Sequence, residues 1–154
     1  MSERFTQQAQ RTLVAARFEA AQLGNSSIDP EHLLLGIYRE GKGTTARIMS
    51  RAGVNLVTLR EQLVGQHQFH TPVTNFEIPF GVGLQRLLRC AEEEADRLSS
   101  DAIGAEHLLL SILTEGSSTA ARVLELVGLT AERVQAEIAA LRPESANRDD
   151  DGPD

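Results

Sequence analysis

The 154-residue chain contains no tryptophan, one tyrosine and five phenylalanines, so aromatic residues make up only 4% of it. A core short of large rings has to be filled by Leu, Ala, Ile and Val, a palette that suits packed helices rather than a β-sandwich. Cys90 is the single cysteine, which excludes a disulfide framework within the chain. No apolar run approaches the roughly 18 residues of a membrane span, so no membrane partner is expected. The opening segment, MSERFTQQAQ, lacks the apolar stretch of a signal peptide, and the expected location is the cytoplasm. Basic charge is also scarce where nucleic acid would need it. Residues 1–64 carry eight Arg and Lys against six acids, residues 65–154 carry seven against sixteen, and the total is −7. Phosphate backbones are bound by dense basic faces, and none is present, so nucleic acid is not an expected partner.

What the chain does have is a duplication. Shifted by 75 residues, it matches itself without a gap from Phe5/Phe80 to Leu63/Ile138. Identical pairs include Gln10/Gln85, Arg11/Arg86, Leu13/Leu88, Glu19/Glu94, Leu23/Leu98 and Ile28/Ile103. The strongest block is Glu31-His32-Leu33-Leu34-Leu35 against Glu106-His107-Leu108-Leu109-Leu110, followed by Glu40-Gly41 against Glu115-Gly116 and Gly53 against Gly128. A repeat of this kind often cannot bury its apolar face alone, so the two copies are expected to pack together about a pseudo-two-fold axis.

Each copy reads as four helices, giving an all-α, eight-helix bundle. In the first, Phe5, Ala9, Leu13, Ala16, Ala20 and Leu23 form an amphipathic stripe that Gly24 ends. Asp29-Pro30 opens the second helix, with Asp at the cap and Pro at the first helical position, and Gly41 closes it. A third helix is expected at about 44–52 and a fourth at about 56–64. Their counterparts fall at about 81–98, 105–115, 118–127 and 130–141. Residues 65–79, with two prolines and no helical stripe, read as a linker. The expected organisation is therefore repeat 1 over 1–64, the linker 65–79, repeat 2 over 80–141, and a disordered acidic tail over 142–154.

The search for chemistry returns little. Gly36 to Gly43 is one residue short of a phosphate-binding P-loop, since Gly43 stands where Ser or Thr must follow Lys42 and the preceding residues are helical rather than a strand. His32 and His107 lack the HExxH spacing of a zinc site, and the simpler reading is a histidine bonded to backbone at a helix start. His67 and His70 form a weak metal pair in the linker. Cys90 aligns with Ala15 and reads as a buried small residue, and Glu92-Glu93-Glu94 as a solvated helix face. No catalytic residue, metal or cofactor is expected, and the chain is not read as an enzyme.

The doubled pattern of an amphipathic helix, Ile-x-x-Glu-His-Leu-Leu-Leu-x-Ile, Glu-Gly, Ala-Arg and Gly resembles the Clp N-terminal domain, above all its ClpC branch, over about residues 3–141. The resemblance implies a docking platform for adaptor or substrate proteins at the front of a Clp-type AAA+ unfoldase. It also implies recognition of phosphoarginine. Glu31 with Thr6 would form one site and Glu106 the other, each Glu facing the guanidinium and Thr6 lying near the phosphate. Gly81 stands where the second copy would carry the threonine, and Pro30 and Ala105 precede the two glutamates where relatives commonly have Thr, so the first pocket is expected to be the better preserved. A partner surface is expected around Phe5 and Phe80. No ATPase module with a true P-loop falls within these residues, so the chain is read either as a stand-alone protein or as a piece of a longer one, and three uses stay open: docking for an unfoldase, a stand-alone decoy or regulator for the same ligands, and a structural oligomerisation domain.

Overall fold

The computed structural model describes residues 3–64 and 77–146. Eight α-helices follow in order: α1 (Gln7–Gln22), α2 (Pro30–Glu40), α3 (Gly43–Arg51), α4 (Leu56–Val64), α5 (Val82–Arg97), α6 (Ala105–Glu115), α7 (Thr119–Leu126) and α8 (Ala131–Ala146). The boundaries repeat at the 75-residue interval because their stop signals do. Gly41 and Gly116 close α2 and α6 with φ of 41° and 76°, a left-handed conformation that a side chain disfavours. After α1 the left-handed residue is Gly24, but after α5 it is Ser99, at φ 60°.

One boundary differs from the sequence reading. Helix α8 runs to Ala146, past the Pro143 at which a disordered tail was expected to be under way. Proline forfeits one hydrogen bond, yet its fixed φ is helical, so a last turn can continue through it. The linker histidines His67 and His70 lie outside the described residues.

Helices α2 and α6 form the centre. Leu33, Leu34, Leu35 and Ile37 of α2, and Leu108, Leu109, Leu110 and Ile112 of α6, are all buried in one continuous core. Helix α1 lies along α2 so closely that a Cβ on Gly36 would stand 2.6 Å from the Thr12 carbonyl oxygen and 2.8 Å from the Ala16 nitrogen. The second copy has Ser111 at that position, its hydroxyl turned back onto the Leu108 carbonyl at 2.7 Å. The α1–α2 hairpin is antiparallel: Gln8 Nε2 donates to the Lys42 carbonyl beyond the end of α2, at 2.7 Å. Contacts between the copies come in exchange-related sets. Helix α2 touches α5 as α6 touches α1, α3 touches α8 as α7 touches α4, and α2 touches α7 as α6 touches α3.

Two isolated parallel bridges, the only strand-like pairings among the described residues, fasten the copies. Thr6 N–H donates to the Ile103 carbonyl at 3.0 Å, and Ile103 N–H to the Arg4 carbonyl at 2.8 Å. The mirror set joins Gly81 N–H to the Ile28 carbonyl and Ile28 N–H to the Pro79 carbonyl, both at 2.9 Å. Each copy's lead-in to its first helix is thus pinned to the other copy's turn before its second helix.

Candidate functional site

The crossed bridges decide which helix starts share a pocket. Thr6 caps α1, its hydroxyl accepting the Ala9 N–H at 3.0 Å, and its backbone is held to Ile103, three residues before Glu106. It therefore belongs with Glu106, not with Glu31 as the residue-by-residue reading had it. Glu31 sits in the first turn of α2, and Thr6 lies beside that helix's last turn. Eleven residues of helix, about 16 Å, separate the two ends. Glu31 instead shares its pocket with Gly81. A sequence shift compares the copies position by position and carries no information on which copy's segment folds against which.

The two pockets also differ in chemistry. In the first, the starts of α1 and α6 come together around Thr6, Gly104 and the half-buried Glu106. In the second, the starts of α5 and α2 come together around Gly81, Asp29 and the half-buried Glu31. A Cβ on Gly81 would stand 2.3 Å from Asp29 Oδ1, so the carboxylate occupies the space that a threonine side chain would need. That carboxylate is itself held by the Ser27 hydroxyl at 3.0 Å. At the matched positions the sizes are reversed: Thr6 and Gly104 in the first pocket correspond to Gly81 and Asp29 in the second.

The histidines have a structural task. His32 Nδ1 accepts the Asp29 N–H, and His107 Nδ1 accepts the Gly104 N–H, both at 2.9 Å. This is the bond that a glutamate or glutamine makes in a capping box. With Nδ1 accepting, His32 carries its proton on Nε2 and donates it to Asn25 Oδ1 at 2.9 Å. Among the described residues no cluster of three His, Cys, Asp or Glu is placed to hold a metal.

Phe5 does not form a surface. It is 7% exposed and packs in the core, because the bridge to Ile103 carries its side chain inward. Phe80 is half-buried, with the Arg17 guanidinium 5.9 Å from its ring centre. Beside it Val82 is 72% exposed. Cys90 is half-buried rather than buried, its Sγ 3.1 Å from the Thr114 hydroxyl. Burial pushes the thiol pKa up, the Thr114 bond opposes this, and the carboxylates of Glu94, Glu93 and Glu115 add to the rise. Such a thiol is held in its unreactive form.

Two residues escaped the sequence reading. Glu19 is 3% exposed and accepts from Arg39 Nη1 at 2.9 Å and from Arg60 Nη2 at 3.0 and 3.1 Å. Glu94, read as part of a solvated face, is 2% exposed. Glu92 and Glu93 do face solvent, but Glu94 turns inward on α5. The available signal was its identity with Glu19 at the matched position, amid residues of the buried stripe.

A double-repeat helical domain, locked by reciprocal bridges and showing no catalytic grouping among its described residues, is the class this structure defines. The chain belongs to the Clp N-terminal domain family: residues 4–141 match the family described as the Clp repeat (R) N-terminal domain. It is 37% identical over 150 residues to the chloroplastic chaperone protein ClpC of Pisum sativum, covering 96% of this chain and 16% of that protein. It is 38% identical over 149 residues to the ClpA homolog, an ATP-dependent Clp protease ATP-binding subunit, of Guillardia theta, covering 95% and 18%. The chain thus spans about a sixth of the length of these relatives. In structure it is similar to the N-terminal domain of ClpD from Arabidopsis thaliana, with a TM-score of 0.73, 24% identity, and 90% and 96% of the two chains covered. It is also similar to the ClpV N-domain solved in complex with a VipB peptide, with a TM-score of 0.73, 17% identity, and coverage of 94% and 91%. These structural likenesses show the fold. No described helix is long and apolar enough to cross a membrane.

Proposed function

We propose that the domain is a docking module that captures adaptor or substrate proteins for a Clp-type AAA+ unfoldase in the cytoplasm. On this reading, phosphoarginine is taken chiefly in the pocket shared by Thr6 and Glu106. The observation that carries the assignment is the crossed bridge, which sets the Thr6 hydroxyl and the first-turn N–H groups of α1 beside the start of α6. Hydroxyl and N–H donors at a helix start suit a phosphate, and a carboxylate suits the guanidinium of the same ligand. The second pocket carries two carboxylates, Asp29 and Glu31, and no hydroxyl at position 81, so it resists a phosphate.

Calorimetric titration with free phosphoarginine tests this. One site per chain is expected, abolished by Glu106→Ala and by Thr6→Val, and kept by Glu31→Ala. Two equal sites would refute the assignment of unequal pockets, and no binding at all would refute the phosphoarginine reading. Docking of unmodified protein ligands is tested separately, by capture of a purified Clp-type adaptor. The docking face on this reading is the exposed surface beside Phe80, so Val82→Ser should weaken capture, and capture that survives it would move the face elsewhere.

A further inference from the structure

Glu19 and Glu94 are the same residue of the two repeats, equally buried, yet their surroundings differ. Over Glu19 lie Arg39 from α2 and Arg60 from α4, whose side chains remain 45% and 43% exposed. The carboxylate is therefore just beneath the surface, roofed by two guanidinium groups that solvent still reaches. In the second repeat the matching positions are Thr114 and Gln135. The Thr114 hydroxyl is engaged with Cys90. Glu94 Oε2 accepts from Arg97 Nη1 at 2.6 Å, but Oε1 is buried with no hydrogen-bond partner among the described residues. A desolvated carboxylate oxygen lacking a donor is costly, and native structures supply one.

We infer that Glu94 receives an arginine side chain from a protein partner, which provides between molecules what Arg39 and Arg60 provide within the first repeat. Three features specify the occupant. The first repeat shows that guanidinium fits over this carboxylate, with Arg60 reaching both of its oxygens. A guanidinium is weakly hydrated and presents donors in a fork that serves two oxygens at once, which a lysine does not. Nearby charge is negative: Glu93, exposed, directly precedes Glu94 on the helix, and Glu115 lies with both of them near Cys90. Arg97, which holds the other oxygen of Glu94, is 62% exposed and free to swing aside. The site is separate from the phosphoarginine pocket: Glu92 and Asp96, which pair with Arg4, share one face of α5, and Glu94 is turned about 200° from Glu92.

The test is NMR titration of the isotope-labelled domain with the peptide acetyl-Gly-Ser-Arg-Ser-Gly-amide and its citrulline counterpart, which keeps the shape and lacks the charge. Saturable shifts at the amides of residues 90–97, Thr114 and Gln135 are expected with arginine, at roughly tenfold or greater preference over citrulline. Glu94→Gln, nearly isosteric, should weaken binding by a similar factor. So should Gln135→Arg, which restores the first repeat's roof, while Glu19→Gln should leave it unchanged. The spectra themselves report that each variant is folded. Shifts that do not saturate, that persist in Glu94→Gln or Gln135→Arg, or that are equal with citrulline overturn the inference.

Discussion

The two glutamates offer a stability experiment in which one substitution is made twice in one molecule. Glu19→Gln removes the charge and one of the two oxygens that together accept three N–H···O contacts from two guanidinium groups, at 2.9 to 3.1 Å. A hydrogen bond to a charged group contributes about 1.5–3 kcal/mol when sheltered, but an exposed ion pair contributes only about 0–1. Both arginines are nearly half exposed, so the loss is about 1 kcal/mol for each, or about 2 in all. Glu94→Gln turns the ion pair with an arginine that is 62% exposed into a neutral hydrogen bond, a loss of about 0.5 kcal/mol, and replaces a carboxylate oxygen buried without a donor by an amide group that is cheaper to bury. Its net effect is near zero or stabilising. Urea unfolding followed by circular dichroism should place the Glu19→Gln midpoint lower by about 1 M, for a slope of about 2 kcal/mol/M, with the Glu94→Gln midpoint unmoved or raised. Molar salt should shrink the Glu19 effect, since its roof is reached by solvent. Equal losses at the two positions would refute the reasoning, because burial rather than partners would then set the cost.

Three further outcomes follow from single observations. Ser99→Gly should stabilise the fold by about 0.5–1 kcal/mol, raising Tm by about 2–3 °C, because Ser99 holds the left-handed position that glycine fills after α1; a lowered Tm would mean that its side chain matters more than its backbone. The Glu115 carboxyl is held below its usual pKa, first by the Ser117 hydroxyl and N–H and then by Arg86, against the opposing effect of burial. A depressed carboxyl stabilises the fold above its unfolded pKa and loses that contribution as pH falls through the folded one, so Glu115→Gln should cost stability at pH 7 and nothing in strong acid; a cost independent of pH would exclude this linkage. Cys90 should be alkylated by iodoacetamide more slowly at pH 8 than a free thiol such as glutathione, because burial raises its pKa; a faster rate would remove the protonated-thiol assignment.

Much of the fold was legible because its signals are local. Stop glycines, a proline at a helix start and a leucine stripe each act within one turn. Repetition at a fixed interval doubled most of them, though Ala105 replaces the helix-start proline and Ser99 one stop glycine, and seven of the eight helices begin and end within about two residues of where the pattern puts them. The first residue misjudged was Phe5. Its place in the stripe was correct, but its exposure depended on the bridge to Ile103 that the flanking Arg4 and Thr6 make, and no periodicity reports a pairing that spans the molecule. The same gap hid Glu94. Three consecutive acids look solvated, and only the turn of α5 reveals that the third faces a different neighbour from the first two.

The pairing error at Thr6 has a physical content of its own. Had each repeat closed its pocket from its own residues, the two copies could diverge independently, and a pocket lost in one would leave the other untouched. Crossing ties them. Each pocket takes one helix start from either copy, so a change at position 81 is felt at position 29, and a change at 104 is felt at 6. The reversed sizes at the matched positions, Thr6 and Gly104 against Gly81 and Asp29, are what such coupling requires. A threonine introduced at 81 alone would drive its Cβ into Asp29 Oδ1, whereas Gly81→Thr combined with Asp29→Gly would rebuild the first pocket's arrangement in the second. If the pockets are coupled in this way, the double variant gains a second phosphoarginine site that neither single variant shows, and the gain is non-additive. If they are not, the singles sum, and the crossed bridges are scaffolding with no bearing on what either pocket accepts.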